Sequence, residues 1–347
     1  MRRFISGLLC LCLAGWLMMT PATAADKGDI LALKKDYPNE YVVVKGDTLW
    51  DISALFLQSP WKWPELWGFN PQIDNPHLIY PGDRLTLVWI NGKPRLQLNK
   101  GIRKLSPKAK VSLLDGAIPA INLKDISSFL TENLVKSSDA LKDAPYILGS
   151  TGNRLLAGAG DRVYARGELV DDYHYQNIYR PAREYIDPDT EESLGFELRK
   201  VGEGSVFARK DDIISLDLLE TQEEISSLDR VFPGENERIT STYYPSEPEG
   251  DISGRVLSVI RGVRQAGQYD VIAINKGARE GLKTGHVLSI YAVGEVLVDP
   301  VTKDPVTLPS EKAGLIMIFK AFEKVSYALI LKATDAIAVG DEVRNPE

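Results

Sequence analysis

The pattern of hydrophobic and polar positions divides the chain into three parts. An apolar run covers positions 4–19, directly behind two arginines. Residues 41–89 begin with a β-branched run, continue with apolar residues at helical spacing and end in a second short apolar run. Beyond Lys100, short β-branched runs alternate with Gly, Pro and Asp, which is typical of strands joined by turns. This order predicts an α+β protein in which a small mixed unit precedes a mainly β remainder.

The first 24 residues have the features of a cleavable secretory signal. Two arginines precede the apolar run, and the small residues Ala22-Thr23-Ala24 follow it. The run is shorter than the roughly 20 residues that a membrane-spanning helix needs. We therefore expect cleavage near Ala24, a soluble mature chain from Ala25 and no membrane span. Acylation of Cys10 would instead give a lipoprotein, but Leu9 stands where a small residue is wanted.

The cysteine content and the net charge limit the chemistry and the ligands that we expect for this chain. Both cysteines, Cys10 and Cys12, fall within the predicted signal, so we expect a mature chain without a disulfide, a thiol nucleophile or a cysteine metal ligand. The chain has 41 basic and 48 acidic residues and a net charge of -7. This excess of acids disfavours binding to nucleic acid or to anionic lipid, because both ligands present negative phosphates.

Residues 41–89 have the pattern of a strand, two short helices and a second strand. Thr48 stands where it can cap the first helix, with Asp51 three residues later as in a shortened capping box. Pro60 and Pro64 suit the start of a second helix, which should end before Asn70 because that residue precedes a proline. The predicted buried stripe of the first helix consists of Leu49, Ile52 and Phe56.

Two motifs mark the turns of this small unit, YVVVKGDTLW at positions 41–50 and NPHLIYPGDRL at positions 75–85. With them, residues 36–92 closely resemble the LysM domain family. The resemblance implies a shallow groove between two loops that recognises the N-acetylglucosamine-containing glycan of peptidoglycan. Such an uncharged ligand is best met by loop backbone groups and a few apolar contacts. Carried over by position, the glycan-binding residues are Gly46, Asp47, Thr48, Leu49, Asn75, His77, Leu78 and Ile79.

Some residues of this unit also have a purely structural interpretation. Thr48 would serve only as a helix cap, and Ile79 only as a core residue, if their side chains do not reach the ligand. Trp61, Trp63 and Trp67 could stack on sugar. Packing in the core is favoured, because a domain of about 50 residues has few other apolar side chains to bury. The sequence leaves both interpretations open.

Two stretches beyond Lys100 resemble each other at an offset of 112 residues. The repeat predicts a duplicated β-rich unit, with copies at 101–232 and 251–347 and a polar, proline-containing linker at 233–250. Each Asp-Pro-x-Thr element should form a turn. Chance matches among turn residues are the alternative. The matches are Ile178-Tyr179 with Ile290-Tyr291, Asp187-Pro188 with Asp299-Pro300, Asp229 with Asp341 and, after an insertion of seven residues, Gly195 with Gly314.

The sequence has no signature of a peptidoglycan hydrolase. Its three histidines, His77, His174 and His286, do not stand at zinc-ligand spacing, and a cysteine transpeptidase would lack its thiol. The segment Glu191-Glu192-Ser193 comes nearest to a catalytic Glu-Ser pair, but it is predicted to lie in a turn. We therefore expect no catalytic residue, no metal and no cofactor. Counting acids alone leaves a glycosidase open, since it needs only two carboxylates.

Longer segments carry a second resemblance: APYILG at 144–149, GDRVYARG at 160–167, YIDPDTEESLG at 185–195, FEKVSYALIL at 322–331 and VGDEVRNP at 339–346. With the signal and the single LysM motif, they resemble the type IV pilus secretin-associated LysM proteins of Gram-negative bacteria. Residues 274–291 also look like the C-terminal domain of a flagellar basal-body protein. The resemblance implies a periplasmic scaffold that anchors the outer-membrane secretin of the type IV pilus to the cell wall. A peptidoglycan-modifying enzyme, or its LysM-targeted regulator, is the alternative.

Overall fold

The computed structural model describes residues 31–68, 79–99, 133–152, 154, 156–169, 173–234, 243–260, 265–294 and 296–346. The predicted secretory signal lies outside these ranges. Within them, no helix is long and apolar enough to cross a membrane. The described chain forms a small mixed α/β unit followed by two β-barrels.

The N-terminal unit combines two short helices with a three-stranded antiparallel sheet. Its elements are β1 (Glu40–Val42), α1 (Leu49–Phe56), a 3₁₀ helix (Pro60–Lys62), α2 (Trp63–Trp67), β2 (Arg84–Ile90) and β3 (Lys93–Asn99), and the sheet order is β1-β2-β3. The predicted stripe of Leu49, Ile52 and Phe56 is buried in its core. Trp63 and Trp67 are buried there too, which supports packing as their use.

Strand β3 is a feature that the sequence pattern does not predict. It pairs with β2 over seven residues and buries Leu96 and Leu98 in the core of the unit. Leu31, which precedes the predicted domain, belongs to the same core. The packed unit therefore extends beyond 36–92 on both sides. The third strand enlarges the apolar face that the sheet buries, whereas a sheet of two strands alone is only marginally stable.

The first barrel closes through six strands. Its elements are β4 (Leu134–Lys136), α3 (Ser138–Asp143), β5 (Tyr146–Ser150), β6 (Leu156–Ala157), β7 (Arg162–Arg166), β8 (Tyr175–Ile186), β9 (Ser193–Lys210), β10 (Ile213–Thr221), β11 (Ile225–Ser226) and β12 (Arg230–Pro233). The order is β10-β7-β5-β12-β8-β9, and pairing of β9 with β10 completes the ring. Strand β4 is added to β9 outside the ring. The sequence also predicts a helix around 123–134; this segment falls largely outside the described residues, and Leu134 itself begins β4.

The second barrel is also closed and has six strands. Its elements are β13 (Ser253–Ile260), β14 (Gln265–Ala266), β15 (Val271–Ile274), a 3₁₀ helix (Ala278–Glu280), β16 (Val287–Ala292), β17 (Val296–Val298), β18 (Pro305–Thr307), β19 (Glu311–Ala321), β20 (Ser326–Ala333), β21 (Ile337–Ala338) and β22 (Glu342–Arg344). The order around the ring is β13-β15-β20-β19-β16-β22.

The two barrels share one strand order. Taken in sequence, β5, β7, β8, β9, β10 and β12 occupy the same places in the first ring as β13, β15, β16, β19, β20 and β22 in the second. A small two-stranded sheet accompanies each ring, β6 with β11 and β14 with β21. The clearest difference is β4, because no described strand holds the equivalent place beside β19.

The strand registers correct the predicted equivalence of Gly195 with Gly314. Ile178 pairs with Gly202 between β8 and β9, and Ile290 pairs with Gly314 between β16 and β19. A Cβ atom at Gly202 or Gly314 would meet a backbone carbonyl oxygen of the neighbouring strand, at 2.8 and 2.5 Å. Gly314 therefore corresponds to Gly202, at the unbroken offset of 112 residues. Close strand packing, which does not show in the sequence, requires glycine at both places.

Both Asp-Pro-x-Thr elements form the same turn. In each, Oδ1 of the aspartate, Asp187 or Asp299, accepts hydrogen bonds from the backbone N–H groups two and three residues later. The residue four positions later, Glu191 or Lys303, has a positive φ of 59° or 65°. The predicted turns are thus present, and local hydrogen bonding to the aspartate defines them.

These turns lie at the tips of two hairpins in different surroundings. The first hairpin (residues 184–195) joins β8 to β9, and its Tyr185 and Leu194 are buried. The second hairpin (residues 296–307) consists of β17, β18 and their turn, and its apolar side chains are exposed, including Val301 at 86%. The same local structure is therefore packed in one barrel and solvated in the other.

The second barrel has an apolar outer wall. Along β15, β19 and β20 the residues alternate between the barrel interior and the outside, as Ile316 and Met317 do, and both sets are buried. The outer wall is covered by Trp61 of the N-terminal unit and by Tyr185 and Leu194 of the first hairpin. Both other units therefore rest on the second barrel.

The corresponding wall of the first barrel is polar. Arg162 on β7 forms an ion pair with Asp217 on β10, at 2.5 Å, and Arg166 pairs with Asp212 at 2.7 Å. Because these charges are solvated, this wall does not provide the apolar surface on which a hairpin could be buried.

Part of the predicted linker is packed. Tyr243 is buried with the outer wall of the second barrel, and the ring of Tyr244 lies 5.9 Å from that of Trp63. Ser246 forms a parallel bridge with His286. Residues 243–246 therefore hold the N-terminal unit and the second barrel together, whereas residues 235–242 lie outside the described ranges.

Candidate functional site

The loop between β1 and α1 is held by one carboxylate. Oδ2 of Asp47 accepts a 2.8 Å hydrogen bond from the backbone N–H of Val44 and a 2.9 Å bond from the hydroxyl of Tyr41. Gly46 has a φ of 101°, a conformation that glycine adopts at little cost. Gly46 and Asp47 therefore set the shape of the loop.

Tyr41 contributes a hydroxyl whose pKa is raised in this arrangement. Its burial, together with the hydrogen bond to Asp47 and the negative charges of Asp47 and Asp51, raises the pKa of Tyr41 to about 12. The hydroxyl consequently remains a hydrogen-bond donor throughout the physiological pH range.

Thr48 caps α1 as predicted. Its Oγ1 accepts a 3.0 Å hydrogen bond from the backbone N–H of Asp51 and donates a 2.7 Å bond to Oδ2 of Asp51. In a capping box, the carboxylate three residues after the cap accepts a bond from the backbone N–H of the cap residue. Here the carboxylate belongs to Asp51, which is shorter than the usual glutamate, and it accepts a bond from the hydroxyl of Thr48. The side chain is buried, so its capping role is its observed one.

The second loop is tied directly to the first. The backbone N–H of Val43 donates to the carbonyl of Asp83 at 2.9 Å, and that of Gly82 donates to the carbonyl of Val43 at 2.7 Å. Oδ2 of Asp83 accepts a further bond from the backbone N–H of Tyr80. The two motifs recognised in the sequence therefore meet on one side of the unit.

The structure describes five of the eight predicted glycan-binding residues. Leu49 and Ile79 are 2% and 0% exposed and belong to the core, so their side chains are not available to a ligand. Gly46, Asp47 and Thr48 shape the loop through the bonds given above. Contact with a glycan in this loop would therefore involve mainly backbone groups. Asn75, His77 and Leu78 lie outside the described residues, and their assignment stays a prediction.

Two exposed residues beside the loops were missed from the sequence. Val44 and Tyr80 are 53% and 38% exposed, and each has its backbone N–H bonded to a loop aspartate. Fixed apolar surface of this kind suits the faces of a sugar ring. The signal in the sequence was their position immediately next to the two turns of the motif, Lys45-Gly46-Asp47 and Pro81-Gly82-Asp83.

The residues considered for catalysis have other partners. Glu192 accepts bonds from both terminal nitrogens of Arg279 and lies 2.6 Å from Nζ of Lys324. His286 is buried, and its Nδ1 accepts a bond from the backbone N–H of Lys283. Within the described ranges no group of three His, Cys, Asp or Glu side chains could hold a metal ion.

Comparisons with known proteins agree with the geometry of the N-terminal unit. A stretch of 63 residues is 36% identical to the uncharacterized protein YqbP of Bacillus subtilis (strain 168), covering 15% of this chain and 29% of that protein. The chain thus spans less than a third of the curated relative. Residues 41–88 match the LysM domain family. The N-terminal unit is therefore a LysM domain, a module that binds the N-acetylglucosamine-containing glycan of peptidoglycan.

Proposed function

We propose that this protein is a non-enzymatic peptidoglycan-binding scaffold of the cell envelope, with the glycan held between the loops at 43–48 and 79–83. The observation that carries the proposal is the pair of hydrogen bonds between Val43, Gly82 and Asp83, which joins both LysM loops into one surface. Val44 and Tyr80 flank this surface and provide its apolar contacts.

A scaffold role for the barrels is supported by how their charged groups are used. Glu192 is paired with two cations, and Asp229 receives two bonds from Arg180. Hydrogen bonds from Arg279 and Lys324 lower the pKa of Glu192 to about 2, which suits a structural contact better than general acid catalysis.

We further infer that the two barrels arose by duplication. The inference is supported by their common strand order, by the identical turns at Asp187 and Asp299, and by the correspondence of Gly202 with Gly314. After duplication the outer walls diverged, one becoming polar and the other apolar. This divergence allowed the second barrel to serve as the platform for the rest of the chain.

The resemblance of the segments at 144–149, 160–167, 185–195, 322–331 and 339–346 supports a proposal for the partner and the location. We propose that the exported chain lies in the periplasm. Its barrels associate with the outer-membrane secretin of the type IV pilus, while its LysM domain binds the peptidoglycan of the cell wall. The predicted signal at 1–24 and the acidic composition are compatible with this location.

Sedimentation with purified sacculi tests the wall-binding part. The chain from Ala25 onward should sediment with sacculi, and the double variant V44D/Y80A should bind about tenfold more weakly, since apolar anchors of an interface are worth more than about 1 kcal/mol each. The matched control is Trp89→Ala, another exposed apolar residue of the same domain, at 60%. Equal binding by both variants would place the glycan elsewhere.

Two further measurements separate the scaffold from its alternatives. Release of soluble muropeptides from the sacculi would show an enzyme. Incubation with purified secretin should give a complex, and V44D/Y80A should form it as well as the unmodified chain does. A variant that is folded by circular dichroism yet has lost the secretin would show that the LysM domain itself contacts this partner.

A further inference from the structure

A cavity of about 520 Å³ lies at the junction between the LysM domain and the second barrel. Trp50 and Trp61 line it from the LysM side, and Leu315 lines it from the outer wall of the barrel. Trp50 is only half-buried, so its indole is accessible. Aromatic and apolar walls of this kind are typical of ligand sites between domains.

The charges around the cavity have one sign. Lys34, Lys312 and Lys332 line it, and among its described lining residues there is no acidic side chain. The chain as a whole has more acids than bases, 48 against 41, so this composition departs from the average. Neither Lys312 nor Lys332 forms an ion pair with a described residue. Lys312 and Lys332 are exposed, whereas Nζ of Lys34 donates a hydrogen bond to the backbone carbonyl of Ala54. The two exposed ammonium groups are therefore available to pair with an anion at the mouth of the cavity.

The cavity begins where the proposed glycan loop ends. Trp50 lies two residues after Thr48, the last residue of that loop, and Ala54 continues the lining one helical turn later. Helix α1 has eight residues and is therefore about 12 Å long. An extended ligand held at the N-terminal end of α1 can thus reach the cavity along the same helix.

We propose that this junction cavity binds the carboxylate-bearing peptide that substitutes the wall glycan, with the lysines meeting the carboxylates and Trp50 contacting the adjoining sugar. The proposal rests on the proposed function, because it extends the glycan site into a second subsite. It also requires the second barrel, since that unit provides Lys312 and Lys332.

Two soluble probes and one pair of matched variants test this subsite by isothermal titration calorimetry on the chain from Ala25 onward. The probes are a neutral N-acetylglucosamine oligomer and a disaccharide muropeptide whose peptide has free carboxylates. The test variant is K312E/K332E. Its control is K93E/K210E, which makes the same charge change at two exposed lysines that do not line the cavity.

We expect the muropeptide to bind more tightly than the neutral oligomer, and K312E/K332E to weaken the muropeptide about tenfold, as removal of charge pairs at an interface does. Binding of the neutral oligomer should change less than about twofold, and K93E/K210E should change neither affinity. The milder variant K312Q/K332Q should fall between, which guards against a folding defect in the reversed-charge variant.

The outcomes separate the two proposals. If the chain binds both probes equally and K312E/K332E has no effect, the carboxylate subsite is wrong while the glycan site stands. An equal loss in K93E/K210E would mean a general charge effect and would also overturn the subsite. If neither probe binds, the glycan function fails, and the subsite that depends on it fails too.

Discussion

Oδ2 of Asp187 accepts a 3.0 Å hydrogen bond from Nδ2 of Asn275, and both side chains are buried where the first hairpin meets the second barrel. The other carboxylate oxygen of Asp187 holds its own turn together. One side chain therefore shapes the tip of the hairpin and joins it to the neighbouring barrel. Around it, Arg255 pairs with Asp189 and Arg279 pairs with Glu192.

Replacing Asp187 with alanine should destabilise the protein by about 2–3 kcal/mol, because it leaves the buried amide of Asn275 without its acceptor. Asp299→Ala is the matched control. It removes the same turn bonds from the exposed second hairpin and should cost less than about 1 kcal/mol. Denaturation midpoints in urea measure both, and equal losses would mean that the turn matters and the inter-barrel bond does not.

Acid should weaken the contact between the barrels. Hydrogen bonds from Arg279 and Lys324 lower the pKa of Glu192 to about 2, from an ordinary value of 4.5. Burial opposes ionisation of Asp187, but backbone bonds from Asp189 and Thr190, with the bond from Asn275, bring its pKa below the ordinary value.

Groups with a lowered pKa stabilise the folded state above their ordinary pKa and lose this effect as the pH falls through the folded value. The thermal midpoint should therefore decline between about pH 4.5 and 2, and Glu192→Gln should flatten that decline. An unchanged pH profile in the variant would remove Glu192 from the explanation.

The two hairpins provide a second matched pair. Leu194 is 4% exposed in the first hairpin, and Val306, at the equivalent offset of 112, is 45% exposed in the second. Leu194→Ala should cost about 2–5 kcal/mol, whereas Val306→Ala should cost less than about 1 kcal/mol. Thermal unfolding of the two variants distinguishes them. Similar losses would indicate that the second hairpin is buried in solution.

Trp61 should contribute much of the stability of the contact between the LysM domain and the second barrel. It is buried in the cluster that includes the outer wall of that barrel, so Trp61→Ala should weaken the docking by about 3–5 kcal/mol. Limited proteolysis should then cut faster between the LysM domain and the barrels. Trp89→Ala, at an exposed tryptophan, should leave the cleavage rate unchanged.

Thr48→Ala should destabilise the LysM domain by about 1 kcal/mol through loss of the helix cap. Thr48→Ser keeps the hydroxyl that bonds Asp51 and should restore most of this stability. If glycan binding falls in the alanine variant and returns in the serine variant, the hydroxyl acts by holding the loop. Binding that stays low in the serine variant would point to contact through the threonine methyl group.

Short-range features of this protein followed from its sequence. Thr48 and Asp51 lie three residues apart, and each Asp-Pro-x-Thr turn closes within five residues, so the partners are neighbours in any compact conformation. The stripe of α1 was readable for the same reason, since helical spacing alone brings its members to one face. These local interactions specified the start and the buried face of α1 and the equivalent hairpin tips.

Only the tertiary structure decided which of the equivalent surfaces is buried. Asp187 and Asp299 have the same local turn, yet Asp187 is buried against Asn275, 88 residues away, whereas Asp299 is only half-buried at the tip of an exposed hairpin. The register that matches Gly202 with Gly314, the pairing of β3 with β2 and the docking of Trp61 depend likewise on tertiary packing. Alternation along β20 tells which residues face the barrel interior, but burial of its outer face depends on units folded elsewhere in the chain.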